Sequence, residues 1–137
     1  MLYIDQPTTT GFSYSEPVPA YYDANGDTYL ITLGEADCPD YAEVYGTCGT
    51  YSYPDISATA NSTANAAPNF WKTLQAFMGV FPQYSSHGFH FATESYGGHY
   101  GPIFSDYIQS QNQLINDGCL PGAQVIDQRT LMIGNGW

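Results

Sequence analysis

Two stretches of this 137-residue chain carry apolar residues at the spacing of an α-helix. The apolar residues of the first stretch share one helix face: Phe70, Leu74, Phe77, Met78 and Phe81. We expect a helix that begins at Asn61 or Ser62 and ends at about Phe81, before Pro82. Its firm part should begin near Pro68, because proline is tolerated in a first turn and disrupts a helix interior. The apolar face is expected to pack against a sheet.

The second stretch has the clearest helical pattern in the chain. Its apolar residues recur every three or four positions: Tyr100, Ile103, Phe104, Tyr107 and Ile108. We expect a helix from His99 to about Asn116 that stops before Gly118. Pro102 then falls in the first turn, where a missing N–H removes no helical hydrogen bond.

Short apolar or alternating runs predict four strands. They lie at residues 2–4, 28–33, 89–91 and 130–133. The first, third and fourth of these alternate with the two helices, which predicts an α/β protein with a mostly parallel sheet. Its crossover connections should be right-handed, with helices flanking the sheet.

The segment at residues 16–60 does not follow this alternation. It is rich in Pro, Gly, Asp and Tyr, and it predicts a long loop-rich insertion with one strand at 28–33. Cys38 and Cys48 could pin the insertion, although spacing alone does not decide which cysteines pair. Upstream of it, Asp5 is expected to anchor a loop through backbone N–H groups rather than to take part in catalysis.

A strand, a sharp turn and a helix are predicted around Ser95. The alternating run at 89–91 ends a strand, and Gly97 and Gly98 open the helical stretch. A serine in such a turn is lifted clear of the sheet, and the backbone N–H of Tyr96 is aimed at the same point. Ser95 is therefore the candidate nucleophile, and the Tyr96 N–H is a candidate oxyanion donor.

The serine motif departs from G-x-S-x-G at one position. Thr93 stands where the first glycine is usual, and strand and helix backbones pass closely there. We expect threonine to be tolerated only if its β-branched side chain finds room. The alternative is that Ser95 is a turn serine that caps the following helix.

Three separated blocks resemble the serine carboxypeptidases. Residues 94–100, Glu-Ser-Tyr-Gly-Gly-His-Tyr, look like the active-site block of that family. Asp-Gln-Pro with Gly-Phe-Ser-Tyr, within residues 5–14, resembles the block that precedes it, and residues 133–137, Ile-Gly-Asn-Gly-Trp, are similar to the block that follows. The segment at 16–60 matches more loosely and resembles the fungal branch.

The resemblance implies a fold, an activity and roles for particular residues. It implies that residues 1–137 are part of a catalytic domain with the α/β-hydrolase fold, with a loop-rich insertion at about 16–60. It implies a serine-type carboxypeptidase that releases C-terminal residues from peptides through an acyl-enzyme on Ser95. Glu94 would help to hold the free C-terminal carboxylate of the substrate, and the Tyr96 ring would line the subsite for the residue before the scissile bond. The alternative for Glu94 is a carboxylate that fixes the turn.

The base that serine requires is not evident in the sequence. The candidates are His87, His90 and His99, and we expect all three to be structural because neither strand nor helix directs them towards Ser95. In hydrolases with this turn the acid and the histidine follow the serine, whereas no histidine follows His99 here. With one oxyanion donor also missing, we expect an incomplete chain that is nearly inactive alone.

Charge and composition exclude several classes of partner. The formal charge is −11, and the only basic side chains are Lys72 and Arg129. Nucleic acid and anionic membrane surfaces are therefore not expected partners, and an acidic compartment would relieve the self-repulsion. No apolar run reaches the ~20 residues of a membrane span. No metal or cofactor motif occurs, so no cofactor is expected.

The cysteines and one sequon bear on the compartment. Cys38, Cys48 and Cys119 form an odd set, so one partner could lie outside this chain. Asn61 begins an Asn-Ser-Thr glycosylation sequon. With the resemblance, these features favour a secreted or vacuolar parent enzyme. No signal peptide is recognised at the first residues, and we expect a fragment of a longer enzyme.

Three alternatives to a carboxypeptidase remain open. An acyltransferase on the same scaffold would pass the acyl group to an alcohol, and a product assay with an added acceptor distinguishes it. A lipase or esterase would suit the serine turn, but Glu94 beside the serine favours a peptide carboxylate. A non-catalytic product of a truncated gene would be consistent with Thr93 and with the missing triad partners.

Overall fold

The computed structural model describes residues 1–6, 10–23, 30–34, 37–53 and 59–137, without the side chains of residues 43 and 45. The chain divides into two compact units, Met1–Thr59 and Ala60–Trp137. Both units contain strands and helices, so the chain is a mixed α/β protein. Nearly all of the segment predicted to be loop-rich lies in the first unit, and the two predicted helices lie in the second.

The first unit is built on an antiparallel sheet. Its elements are β1 (Glu16–Asp23), β2 (Leu30–Thr32), α1 (Asp40–Tyr45) and β3 (Gly46–Tyr53). The strand order is β2-β1-β3, and Tyr21 of the central strand pairs with Ile31 on one side and Cys48 on the other. A disulfide joins Cys38, just before α1, to Cys48 in β3. The insertion is therefore a small cross-linked sheet.

Three predictions about this unit need correction. The strand expected at 2–4 is wrong, because residues 1–6 pair with no strand in the described part of the chain. The strand expected at 28–33 is present at Leu30–Thr32, while residues 28 and 29 lie outside the described residues. The segment at 16–60, expected to be loop-rich with one strand, contains a three-stranded antiparallel sheet and a short helix in its described residues.

Asp5 anchors a turn, as predicted. Its Oδ2 accepts a hydrogen bond from the Phe12 N–H at 2.8 Å, and the Ser13 hydroxyl donates to the Asp5 backbone carbonyl. Gly11 lies at φ +54°, and a Cβ on it would stand 2.2 Å from Asp5 Oδ2. Glycine is therefore required at this turn both by its φ and by the approach of the carboxylate.

The second unit contains the predicted parallel pair of strands. Its elements are α2 (Thr63–Val80), a 3₁₀ turn (Pro82–Tyr84), β4 (Phe89–Glu94), α3 (Gly97–Asn116) and β5 (Gln128–Gly134). β4 and β5 pair in parallel, with Thr93 beside Ile133, and α3 connects them. The strands expected near 89–91 and 130–133 are confirmed and are longer than predicted.

Stacked phenylalanine rings form the core of this unit. The ring of Phe70 on α2 lies 5.0 Å from Phe91 on β4 and 4.7 Å from Phe104 on α3, measured between centroids. Leu74, Met78 and Ile108 are also buried. The two predicted helix faces are thus confirmed at their centres. At their margins Phe81 and Ile103 are exposed, although both were assigned to the apolar faces.

α2 begins beside the expected Asn61 or Ser62, whereas α3 begins earlier than expected. The Ser62 hydroxyl accepts a hydrogen bond from the Asn65 N–H at 3.2 Å, so α2 starts with a capped turn at Thr63 and Pro68 lies inside it. α3 starts at Gly97, which makes Pro102 its sixth residue rather than part of the first turn. The firm part of α2 thus begins before Pro68, and α3 begins two residues before the expected His99.

Two side-chain amides fix the connection between α3 and β5. Asn112 on α3 donates from Nδ2 to the Ile126 carbonyl at 2.8 Å and accepts from the Ile126 N–H at 2.9 Å. Gln75 on α2 makes the same pair of bonds with Gln124, at 2.6 and 2.8 Å. Each amide thus satisfies both polar groups of a connecting residue, as a neighbouring strand would.

Replacing Asn112 by alanine is expected to lower the free energy of unfolding by about 2 kcal/mol, because Ile126 is fully buried and would lose partners for its N–H and C=O groups. Gln109→Ala, at an exposed position of the same helix, is the control and should change stability by less than about 0.5 kcal/mol. Denaturant unfolding of the full protein measures both. Equal stability of the two variants would contradict this role for Asn112.

Candidate active site

Ser95 occupies the turn between β4 and α3. β4 ends at Glu94, α3 begins at Gly97, and the two residues between them form the turn. Ser95 has φ +55°, a left-handed backbone conformation that is uncommon outside glycine. Its side chain is exposed, and within the described residues its hydroxyl makes no hydrogen bond. The predicted strand, sharp turn and helix are therefore present, with the serine hydroxyl free.

Backbone hydrogen bonds hold Ser95 in this conformation from two directions. Its N–H donates to the Gly134 carbonyl at 3.0 Å, at the end of β5. Its own carbonyl accepts from the Trp137 N–H at 3.0 Å and from the Gly98 N–H at 2.9 Å. A left-handed non-glycine residue costs about 1–3 kcal/mol and persists only where its surroundings fix it. The loop after β5 and the first turn of α3 supply that restraint.

The Tyr96 N–H is available to a ligand. In the described part of the chain it has no hydrogen-bond partner, whereas the next donors, Gly98 and His99, bond back to Ser95 and Tyr96. Tyr96 is also the residue before α3, a 20-residue helix whose N-terminal end favours negative charge. A free N–H beside a free hydroxyl is the arrangement that stabilises an oxyanion formed at serine.

Thr93 finds the room that its branched side chain requires. A Cβ on Gly97 would lie 2.3 Å from Thr93 Cβ, and a Cβ on Gly101 would lie 3.4 Å from Thr93 Oγ1. The two glycines are four residues apart on α3 and face the strand together. Thr93 Oγ1 also donates to the Gly97 carbonyl at 3.0 Å. In the usual motif a glycine on the strand leaves room between strand and helix, whereas here Gly97 and Gly101 on the helix leave that room.

Glu94 is the last residue of β4, and its side chain is exposed next to Ser95. Within the described residues its carboxylate makes no hydrogen bond and no ion pair. Nothing in this unit therefore ties the carboxylate to the turn. It is free to meet a ligand at the same edge of the sheet as the Ser95 hydroxyl.

The three histidines are engaged away from the Ser95 hydroxyl. His87 Nδ1 lies 3.2 Å from the Ser86 hydroxyl, and His90 Nδ1 bonds to Thr130 Oγ1 across the two strands. The His99 ring lies 4.7 Å from the Tyr96 ring. Among the described residues no hydrogen bond joins any histidine to Ser95.

The described ranges contain no group of three or more His, Cys, Asp or Glu side chains placed to bind a metal ion. In the same ranges, no helix combines the length and hydropathy of a membrane span.

The model of the serine carboxypeptidase family matches residues 1–137, the whole of the chain. The chain belongs to the serine carboxypeptidase family. The resemblance carried by the three sequence blocks is thereby confirmed. The exposed serine in the turn after β4 lies in the middle one of these blocks.

Fungal carboxypeptidases are among the similar proteins. The chain is 40% identical over 120 residues to Carboxypeptidase S1 homolog A of Trichophyton rubrum, covering 85% of the chain and 18% of that protein. It is 38% identical over 130 residues to Carboxypeptidase S1 of Penicillium janthinellum, covering 90% of the chain and 29% of that protein. Carboxypeptidase Y homolog of Arthroderma benhamiae is 36% identical over 143 residues, covering 99% of the chain and 22% of that protein. The chain thus spans less than a third of the length of these relatives.

Trp137 contacts the serine turn, which sequence reasoning missed. Its ring centroid lies 5.9 Å from that of Tyr96 and 5.8 Å from that of His99. A Cβ on Gly98 would lie 2.5 Å from the Trp137 carbonyl oxygen, so glycine is needed for this approach. The similarity of residues 133–137 to a family block marked the segment, but no residue pattern indicated its contact with the serine turn.

Proposed function

We propose that this chain carries the nucleophile of a serine-type carboxypeptidase, and that Ser95 is that nucleophile. The observation that carries the proposal is the conformation of Ser95, exposed at φ +55° in the turn between β4 and α3 with an unbonded hydroxyl. A capping serine would instead accept a hydrogen bond from the start of the helix, and the Ser95 hydroxyl accepts none in the described residues. The family and the named relatives support the same reaction class.

The reaction follows from the groups at the turn. The Ser95 hydroxyl oxygen attacks the carbonyl carbon of the last peptide bond, and its proton passes to a base. The carbonyl oxygen becomes an oxyanion and accepts a hydrogen bond from the Tyr96 N–H. The oxyanion collapses, the C–N bond breaks, and the base gives its proton to the leaving amine of the C-terminal residue, which leaves an ester on Ser95 that water hydrolyses. Among the described residues none of His87, His90 and His99 hydrogen-bonds to Ser95, so none of the three is proposed as the base.

We also propose that the second unit is part of an α/β-hydrolase fold. Two parallel strands connected by a helix, with the serine in the turn after the first strand, are the central feature of that fold. The positive φ of Ser95 and the close approach of Thr93 and Gly97 are consistent with it. A crystal structure of the full protein tests this by the number and order of parallel strands beside β4 and β5.

The side chains of Glu94 and Tyr96 are proposed to bind the substrate. Glu94 has no partner in the described part of the chain, so its carboxyl group can share a proton with the C-terminal carboxylate of a peptide. The Tyr96 ring is exposed and meets Trp137 at 5.9 Å between centroids. These two rings form an apolar surface beside Ser95, which suits the side chain before the scissile bond.

Glu94→Gln is expected to reduce kcat/KM about tenfold or more for peptides with a free C-terminus and to leave the matching C-terminal amides within about threefold. The reason is that the side-chain amide of glutamine makes a weaker hydrogen bond to the substrate carboxylate than the Glu94 carboxyl group does. Hydrogen bonds to charged groups are worth about 1.5–3 kcal/mol. Asp106→Asn, an exposed change on α3, is the control. Equal losses on acids and amides would make Glu94 a structural residue.

The activity itself is tested with the full natural protein at acidic pH. Release of single C-terminal residues from a peptide, together with covalent labelling by a serine-directed phosphonate, is expected for a carboxypeptidase. An added alcohol that captures the acyl group in preference to water would identify an acyltransferase instead. Absence of both release and labelling would support the product of a truncated gene.

The setting of the parent enzyme is proposed to be secreted or vacuolar. The Cys38–Cys48 disulfide supports an oxidising compartment. Asn61 is exposed before α2, and its Oδ1 accepts from Asn65 Nδ2 at 2.6 Å, which leaves the Asn61 amide nitrogen free for a glycan. Cys119 is an exposed free thiol, which suits a disulfide to a cysteine outside this chain. A mass shift on deglycosylation tests the Asn61 site.

A further inference from the structure

We propose that Thr93 is a positioning residue for the reaction, and that its hydroxyl fixes the turn bearing the nucleophile through the hydrogen bond to the Gly97 carbonyl. The inference rests on the proposed role of Ser95. It assigns a function to the residue that departs from the usual serine motif. The role is one that a glycine at this position could not perform, since glycine has no side chain.

The bond lies across the turn from strand to helix. Thr93 stands two residues before Ser95, in β4, and Gly97 stands two residues after it, as the first residue of α3. Thr93 Oγ1 donates to the Gly97 carbonyl oxygen at 3.0 Å. In the described part of the chain, this is the one side-chain hydrogen bond that connects the strand to the helix over the serine turn.

The packing of the Thr93 side chain holds its hydroxyl in the orientation that the hydrogen bond to Gly97 requires. The half-buried side chain occupies the space above Gly97 and Gly101, where added Cβ atoms would approach it to 2.3 and 3.4 Å. Threonine has few χ1 rotamers, and the close packing of its methyl and hydroxyl groups restricts them further. The hydroxyl is therefore held towards Gly97 rather than rotating in solvent.

The strain in the turn gives this bond its importance. Ser95 at φ +55° would relax if its surroundings allowed, and backbone bonds from Gly134 and Trp137 restrain it from the side of β5. On the side of α3 the Gly98 N–H bonds to the Ser95 carbonyl, and the Thr93 hydroxyl adds a second restraint there. Without it, the first turn of the helix can shift relative to the strand.

Such a shift would act on chemistry more than on substrate binding. The Tyr96 N–H, the proposed oxyanion donor, lies in the peptide group directly between Ser95 and Tyr96, one residue before Gly97. Its direction relative to the Ser95 hydroxyl depends on where the helix begins. A displacement near 1 Å in a catalytic constellation can cost about 10²-fold in rate. The loss should fall on kcat, while KM changes little.

The test compares variants of the full protein by two measurements: steady-state release of a C-terminal residue and the rate of covalent labelling by a serine-directed phosphonate. Thr93→Val keeps the shape and removes the hydroxyl, and Thr93→Ser keeps the hydroxyl and removes the methyl group. Thr93→Gly removes both without a clash and serves if the valine variant does not fold. Thr73→Val is the matched control, because Thr73 donates to the Asn69 carbonyl at 2.9 Å on an exposed face of α2.

We expect Thr93→Val to lower kcat and the labelling rate about tenfold with KM within about twofold, Thr93→Ser to retain most of the activity, and Thr73→Val to match the natural protein. Labelling by Thr93→Val within twofold of the natural rate would overturn the proposal, and so would an equal loss in Thr93→Ser. If the natural protein is labelled but releases no C-terminal residue, carboxypeptidase function is wrong and labelling still decides on Thr93. If Ser95 is not labelled at all, both proposals fall.

Discussion

Replacing Ser95 by alanine is expected to abolish peptide hydrolysis, with a loss on the order of 10⁶-fold in kcat, and to remove covalent labelling by a phosphonate. The fold should remain intact, because the hydroxyl is exposed and has no hydrogen bond in the described part of the chain. Stability is expected to change by less than about 0.5 kcal/mol, since alanine is as strained at φ +55° as serine. Activity, labelling and denaturant unfolding of the full protein are the measurements.

Two further variants make this result specific. Ser110→Ala, an exposed serine on α3, is the control and should retain full activity. Ser95→Gly should be as inactive as the alanine variant but more stable by about 1 kcal/mol, because glycine adopts positive φ without strain. Persistent turnover in Ser95→Ala would remove Ser95 from the reaction. Equal stability of the alanine and glycine variants would mean that the turn stores no strain.

Gly97→Ala is expected to destabilise the protein by about 3 kcal/mol and to abolish labelling of Ser95. The added Cβ would lie 2.3 Å from Thr93 Cβ, so strand and helix must separate at the turn. Denaturant unfolding measures the loss of stability, and phosphonate labelling under native conditions measures the displacement of the nucleophile. Gly79→Ala is a matched control within α2, because a Cβ there meets nothing within 4 Å.

The two glycine variants should therefore change stability in opposite directions. Gly79→Ala is expected to stabilise by up to about 1 kcal/mol through helix propensity alone. Adding Thr93→Gly to Gly97→Ala should restore most of the lost stability, because it removes the atoms that the new Cβ would meet. Without such rescue, the intolerance at Gly97 would have to arise from the helix backbone rather than from Thr93.

The elements of the second unit could largely be predicted from the sequence, because their signals are local. The helical spacing from Phe70 to Met78 and the strand at 89–91 each depend on neighbours a few positions away. The turn at Ser95 followed from a glycine pair just after a strand. The start of α2 beside Ser62 was expected, but its first turn proved firm because the Ser62 hydroxyl caps it. α3 begins at Gly97, two residues before the expected His99.

The sheet of the first unit could not be predicted, because its central strand contains two prolines. Pro17 and Pro19 of β1 both lie opposite β3, and on the other side the short strand β2 pairs with residues 20–22, beyond which only the Pro19 carbonyl accepts, from the Leu33 N–H at 2.9 Å. A strand that has a partner on one side tolerates a residue without an N–H. Whether proline is tolerated in β1 depends on the length of its neighbour β2, and the sequence of β1 does not show that length. The Cys38–Cys48 pairing likewise depends on where α1 and β3 lie.

The residues of the candidate site could be predicted from the sequence, but the hydrogen bonds that hold them in place could not. Ser95, Tyr96 and Glu94 were identified from the turn and from the family resemblance, and their catalytic and binding roles stay predictions. The bonds from Gly134 and Trp137 to Ser95 join residues far apart in the sequence, so no local pattern carries them. Thr93 was noted as a departure from the motif, whereas its hydrogen bond to Gly97 depends on the side-chain conformation.

The backbone bonds between Ser95 and the loop after β5 also impose an order on folding. α3 precedes β5 in the sequence and can form its local helical hydrogen bonds first, whereas β4 finds its described strand partner only in β5. The bonds that hold the left-handed conformation of Ser95 come from Gly134 and Trp137, which follow α3 in the sequence. The turn at Ser95 is therefore fully restrained only after β5 has paired with β4.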